Sequence, residues 1–249
     1  MKRMSAVLVC GVLAAALSGA AAWAGQPLGP RFGMADVFGQ NIFVTQEFAL
    51  KRLPADDWLL TEAAPGSIAI DAQKAQCVLQ SGAGGAAILE SNARGSVETY
   101  SITFFARVRL QDAAAAARFG LASDEPDKAA VLIENDREQF ILKIRGGEKE
   151  ESLPFAPIDD QWHTYEIRVE KTSVVLRVDG AELLRTVSSP PTAALAAFFQ
   201  VKESNGNRLE IDRVRLNLMP HELAARMQEF RQRQPAAGDQ PRQRRPRNQ

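Results

Sequence analysis

From Asn41 to Leu218 the chain alternates apolar and polar residues, and almost nowhere does it follow a helical period. The longest run is "SVETYSITFFARVRL". Tyr100, Ile102, Phe104, Ala106, Val108 and Leu110 fall on one side of it, and Thr99, Ser101, Thr103, Phe105, Arg107 and Arg109 on the other. Period two over that length predicts a strand with one buried face. "HTYEIRVE" repeats the scheme, with His163, Tyr165, Ile167 and Val169 on the apolar side. "SVVLRVDGAELLRTV" reads as two strands around Asp179-Gly180, because Asp-Gly supplies the positive φ that a type I′ turn needs. Further short strands are predicted at "IFVTQEF", "SIAIDA", "QCVLQS", "AAILES", "AARFGLA", "AAVLIEN", "QFILKIR", "LAAFFQV" and "LEIDRVRLNL". In the last, apolar parity slips at Asp212-Arg213, the mark of a β-bulge. Only Ala113 to Ala117 offers a competing helical turn. About a dozen strands separated by Gly, Pro, Asp and Asn predict an all-β, antiparallel β-sandwich over residues 41–218.

The ends of the chain differ. Lys2 and Arg3 precede an apolar run from Ala6 to Leu17, and Ala22-Trp23-Ala24 has the form that signal peptidase cuts. Residues 1–24 therefore read as a secretory signal, too short for a comfortable membrane span, with 25–40 as a lead-in. No second apolar stretch of spanning length follows, so the mature chain is expected to be exported to the periplasm or beyond and not transmembrane. At the other end, "MPHELAARMQEFRQRQ" places Leu223, Met227 and Phe230 on one helical stripe, predicting an amphipathic helix over 219–234. "PAAGDQPRQRRPRNQ", residues 235–249, has almost nothing to bury and reads as a disordered Arg-rich tail.

Charge follows this division. From His221 onward seven arginines face Glu222, Glu229 and Asp239, whereas residues 25–220 carry a net charge near −6. Such a body is no nucleic-acid surface. Cys77 is the one cysteine beyond the signal, which excludes an internal disulfide and leaves a buried small hydrophobe. One cysteine with His163 and His221 at these spacings builds no transition-metal site; an oxygen-ligated calcium stays open. No other cofactor is indicated, and oligomeric state is not legible.

"IENDRE", residues 133–138, sets Glu134, Asp136 and Glu138 at the alternate spacing of a glucanase catalytic strand. Such a strand needs apolar residues between its carboxylates, and here Asn135 and Arg137 stand there. Burying Arg137 unpaired costs several kcal/mol. The reading is a hairpin with Glu134 to Glu138 at its tip. His163 has no acidic partner at a suggestive spacing and reads as a core histidine. Trp58 and Trp162, at strand starts, read as packing residues.

"DDQWHTYEIRVEKTSVVLRVDGAELLRTV" resembles the concanavalin A-like jelly-roll superfamily, in particular its laminin-G-like and 3-keto-disaccharide hydrolase-type domains. Asp160, Trp162, His163 and Ile167 match its "D-x-W-H-x-x-x-I/V" strand, and Val178-Asp179-Gly180 the end of its "V-x-V-D-G". "LEIDRVRL", "NDREQFILKI" and the stretch from "DDWLL" to "QCVLQS" are similar to other strands of the same fold. The resemblance implies a jelly roll over about residues 41–218 whose concave outer face carries ligand in many members. Thr103, Phe105, Arg107, Arg168 and Arg177 are the candidate ligand-binding residues. Neighbouring across strands, the arginines would form a cationic groove able to bind sugar hydroxyls or uronic carboxylates. Where the hydrolases have "N-S-G-I-x-x-R" this chain has "ARFGLAS", which leaves that activity without its signature. Three functions follow: a non-catalytic module binding glycan or a cell-envelope polymer, a glycosidase, and a scaffold acting through the C-terminal helix and tail.

Overall fold

The computed structural model describes residues 42–48, 53, 57–62, 67–80, 85–111, 116–136, 139–147, 149–157, 159–187, 189–202 and 208–233. The signal segment, the lead-in and the tail at 235–249 lie outside them. Among the described residues fifteen strands form two antiparallel sheets, and one helix follows. The first sheet runs β13 (Ala181–Thr186), β12 (Ser173–Val178), β11 (His163–Glu170), β6 (Tyr100–Gln111), β15 (Arg208–Pro220), β4 (Gln76–Gln80), β3 (Ile68–Asp71), with β1 (Ile42–Gln46) also on β15. The second runs β10 (Glu151–Pro157), β9 (Gln139–Arg145), β8 (Ala130–Asp136), β7 (Ala116–Ala122), β14 (Leu195–Lys202), β5 (Ala86–Gly95), β2 (Trp58–Thr61). Helix α1 spans His221–Arg233 and continues directly from β15.

Alternation sets which face each residue takes. Ile102, Phe104, Ala106, Val108 and Leu110 of β6 are buried in the core, as are Tyr165, Ile167 and Val169 of β11. Phe119 on the second sheet ties the layers together. Its ring meets Tyr165 of the facing sheet edge-on at 5.0 Å and stacks against Phe199 at 6.4 Å. The bulge in β15 falls between Ile211 and Arg213, where the parity slip places it. It lets Ile211 and Val214 both face inward, and it marks where β15 exchanges one neighbour for another: β4 pairs up to Ile211, β1 from Val214. Asp179 and Gly180 both take positive φ, 50° and 83°, so the β12–β13 turn has the conformation its residues select. Cys77 is fully buried and desolvation pushes its thiol up to about 12, so it is no thiolate at neutral pH.

β2 starts at Trp58, where the sequence places a strand start, and is four residues long and mostly exposed beyond Trp58. One strand escapes the sequence reading. β10 contains Pro154 and Pro157, which argue against a strand; it survives because it is a sheet edge, with a register shift between Pro154 and Ala156. The hairpin reading of "NDRE" also needs correction. β8 runs on through Asp136, with Glu134 opposite Ile141 and Asn135 opposite Phe140, so Glu134 is in the sheet; Arg137 and Glu138 lie outside the described residues. Asn135, one of the two polar residues that argued against a strand, is satisfied, its Oδ1 accepting the Ala117 N–H at 2.8 Å, and Glu134 pairs with Lys143 and Arg145 at 2.9 and 2.7 Å.

Candidate functional site

The outer face of the eight-stranded sheet gathers the candidate residues in rows. Arg168 of β11 lies opposite Thr103 of β6, which lies opposite Asn217 of β15. The next row runs Arg177, Glu166, Phe105, Arg215. The next holds Thr164, Arg107 and Arg213, and beyond it Arg109 faces Glu210. Strands about 4.8 Å apart make these rows continuous. Thr103 and Arg168 are thus direct neighbours, Phe105 and Arg177 share a row across Glu166, and Arg107 stands one row further on.

The arginines are not bare cations. Arg107 pairs with Asp212 at 2.5 Å, Arg168 with Glu170 at 2.6 Å, and Arg177 with Glu166 and Glu182 at 3.2 and 3.4 Å. Arg109 holds one oxygen of Glu210 through two nitrogens at 2.8 and 2.5 Å. The expected cationic groove is therefore a lattice of guanidinium–carboxylate pairs, which offers donors and acceptors side by side. Glu210 anchors it, only 3% exposed and also 2.9 Å from Arg208 Nε. Glu210→Gln should cost about 1–2 kcal/mol in urea unfolding, discounted because both guanidiniums are partly solvated.

Aromatic rings complete the face. Arg215 lies over the Phe105 ring at 5.5 Å, and Arg107 and Arg109 lie over Trp162 at 5.2 and 5.4 Å. Asn217 Oδ1 is buried with no hydrogen-bond partner. At the Ser101 end, α1 closes the face. Leu223 is buried, and His221 Nε2 donates to the Val97 carbonyl at 2.7 Å, anchoring the helix. The remaining space is a cleft of about 280 Å³, with Ser101 and Arg168 on the sheet side, Lys171 and Thr172 at the β11–β12 turn, and His221 and Ala224 on the helix. None of these stacked pairs was legible from the strand pattern, which gives parity but not register.

His163 corrects a second expectation. It stands at the rim of the sandwich, not in the core, and binds carboxylates on both sides: Nδ1 is 2.6 Å from Asp179 and Nε2 is 3.0 Å from Asp159. The Asp179-Gly180 turn was legible in the sequence, but the β11–β12 register that sets Val178 opposite Tyr165 and carries Asp179 to the ring was not.

The outer face of the seven-stranded sheet carries a separate network. Arg118, nearly buried, donates to Gln200 and Asp127 at 2.5 and 2.6 Å. Burial alone would raise the Glu134 carboxyl, but Arg145 and Lys143 outweigh it and hold it below its usual value. Glu90 behaves oppositely: desolvation raises it despite Arg94, which it shares with Asp124. Glu90 and Glu134 stand on β5 and β8, three strand spacings apart, roughly 14 Å. That exceeds the separation of a glycosidase carboxylate pair. Among the described residues no group of three or more His, Cys, Asp or Glu is placed to hold a metal, and no helix is long and apolar enough to cross a membrane.

No protein-family model matches the chain, and no curated protein matches it. Solved structures do. The apo Crh5 transglycosylase is similar with a TM-score of 0.55 at 15% identity, over 78% of this chain and 88% of that one. The Bacillus licheniformis beta-glucanase gives 0.54 at 10% identity, over 72% and 98%. The Emp47p carbohydrate recognition domain gives 0.53 at 12% identity, over 70% and 95%. At these identities the likeness is one of fold, and the chain has the jelly-roll fold found in β-glucanases and lectin recognition domains.

Proposed function

We propose that this chain is an exported, non-catalytic jelly-roll module that binds glycan or another cell-envelope polymer on the outer face of its eight-stranded sheet. One observation carries the reading: the Arg168–Thr103–Asn217 row beside Phe105 and Arg215, opening onto the cleft walled by α1. Paired guanidiniums and carboxylates beside a half-buried ring match the alternating hydroxyls and apolar faces of a sugar. The fold neighbours, among them a transglycosylase, a beta-glucanase and a carbohydrate recognition domain, support the same ligand class.

Pull-down of the mature chain on a panel of insoluble polysaccharides tests this. Retention is expected on at least one, and Phe105→Ala and Arg168→Ala should each weaken it about tenfold, the worth of 1–2 kcal/mol. Lys143→Ala, on the other sheet, should leave it unchanged. Absence of retention across the panel refutes the reading.

A glycosidase is the second reading, favoured by Glu90, whose raised carboxyl shares Arg94 with Asp124. Turnover of glycosides or 3-keto-glycosides that disappears in Glu90→Gln would establish it.

A further inference from the structure

One imidazole holds two connections together at the edge of the candidate face. His163 opens β11. Its Nδ1 lies 2.6 Å from Asp179 Oδ2, and its Nε2 lies 3.0 and 3.1 Å from the two oxygens of Asp159. Ionised carboxylates only accept hydrogen bonds, and a neutral imidazole has one N–H to give. Only the imidazolium can donate to both. The two carboxylates belong to different segments, Asp159 to the β10–β11 connection and Asp179 to the β12–β13 turn. Between Asp159 and His163 lies Trp162, whose indole is covered by Arg107 and Arg109.

The two ties are unequal. Asp179 is fixed independently of the ring: its Oδ1 accepts the Thr164 N–H at 2.8 Å, and its own N–H donates to the Thr164 carbonyl at 2.8 Å. Beyond the ring, the Asp159 carboxylate is held among the described residues by the Gln161 N–H at 3.1 Å and by its own backbone N–H, both within its own connection. An imidazole that loses one proton therefore keeps the short bond to Asp179 and turns a lone pair toward Asp159. A lone pair facing a carboxylate is repelled.

We propose that His163 is a proton-controlled latch: its charged form ties the Asp159–Trp162 connection to the sheet, and proton loss releases that connection and alters how Trp162 lies on Arg107 and Arg109. The other groups facing the ring are Tyr165, edge-on at 6.2 Å and neutral because burial raises its hydroxyl, and Arg107 of β6, which acts on Asp179. Burial alone would lower the imidazole, but its bonds to Asp179 and Asp159 outweigh that and hold it above its ordinary value. Both aspartates are held below theirs, so they stay ionised across the window. The latch is thus complete below a pH of about 6.5 and is lost as pH rises through the raised value of the folded ring.

The test follows two signals in the mature chain from pH 5 to 9.5: the His163 ring resonances by NMR, and Trp162 emission taken as the difference between the chain and its Trp162→Phe variant. Both should show one shared transition above 6.5. The emission step should vanish in His163→Gln. In Asp159→Asn it should vanish too, with the His163 transition moved to lower pH. Far-UV circular dichroism identifies folded variants, and Asp159→Asn carries the test if His163→Gln does not fold. A His163 transition at or below 6.5, or an emission step that survives in a folded latch variant, overturns the proposal.

Discussion

Phe119→Ala should lower the free energy of unfolding by about 3–5 kcal/mol, measured from the urea midpoint. The ring is 1% exposed and joins both layers. It meets Tyr165 edge-on from the facing sheet, Phe140 edge-on at 6.4 Å, and Phe199 by stacking. Removing it opens a cavity where the layers meet, between residues whose backbones are fixed in two ladders. Such a site collapses poorly, so the loss should fall in the upper part of the range for large-to-small core changes. A cost below 1 kcal/mol would mean that the layers do not pack through this cluster.

Gly120→Val should be nearly as damaging, for a backbone reason. Gly120 sits in mid-strand at φ +143°, where L side chains are strained, and a Cβ there would lie 2.5 Å from the Val131 carbonyl oxygen. That oxygen belongs to the neighbouring strand β8, so it cannot move aside without parting the β7–β8 pairing. Strain of about 1–3 kcal/mol and overpacking of similar size add at one point. For a chain of this size, the summed cost of about 2–6 kcal/mol should shift thermal melting down by about 5–20 °C, or the variant should fail to accumulate folded. A melting temperature within a degree or two of the parent would contradict the close approach of β7 and β8.

These residues mark how far the sequence could be read. Period two assigned Ile102, Phe104 and Tyr165 to the core because burial on one face of a strand is a local pattern. The slip at Asp212 was visible for the same reason. β10 was hidden because proline is forbidden in a central strand and tolerated at an edge, and edge position is a property of the whole sheet. Glu134 was misplaced because the polar residues Asn135 and Arg137 between the carboxylates argued for a turn, while the groups that accommodate Asn135 and Glu134 in the sheet, Ala117, Lys143 and Arg145, arrive from other strands. The candidate face divides in the same way. Thr103, Phe105 and Arg107 were recognisable as outward-facing on β6. That Asp212 neutralises Arg107, and that Trp162 lies against two guanidiniums, depends on cross-strand register and on one connection, whereas Glu170 follows Arg168 by two residues on the same face of β11.

The placement of the ligand face is tested most directly by hydrogen exchange. With a polysaccharide fragment chosen from the pull-down panel, exchange of the chain should slow across 101–107, 164–168 and 213–219, which line the rows beside α1, and stay unchanged at 118–122 and 130–135. Slowing confined to β7, β8 and β14 would put the ligand on the seven-stranded sheet and contradict the account.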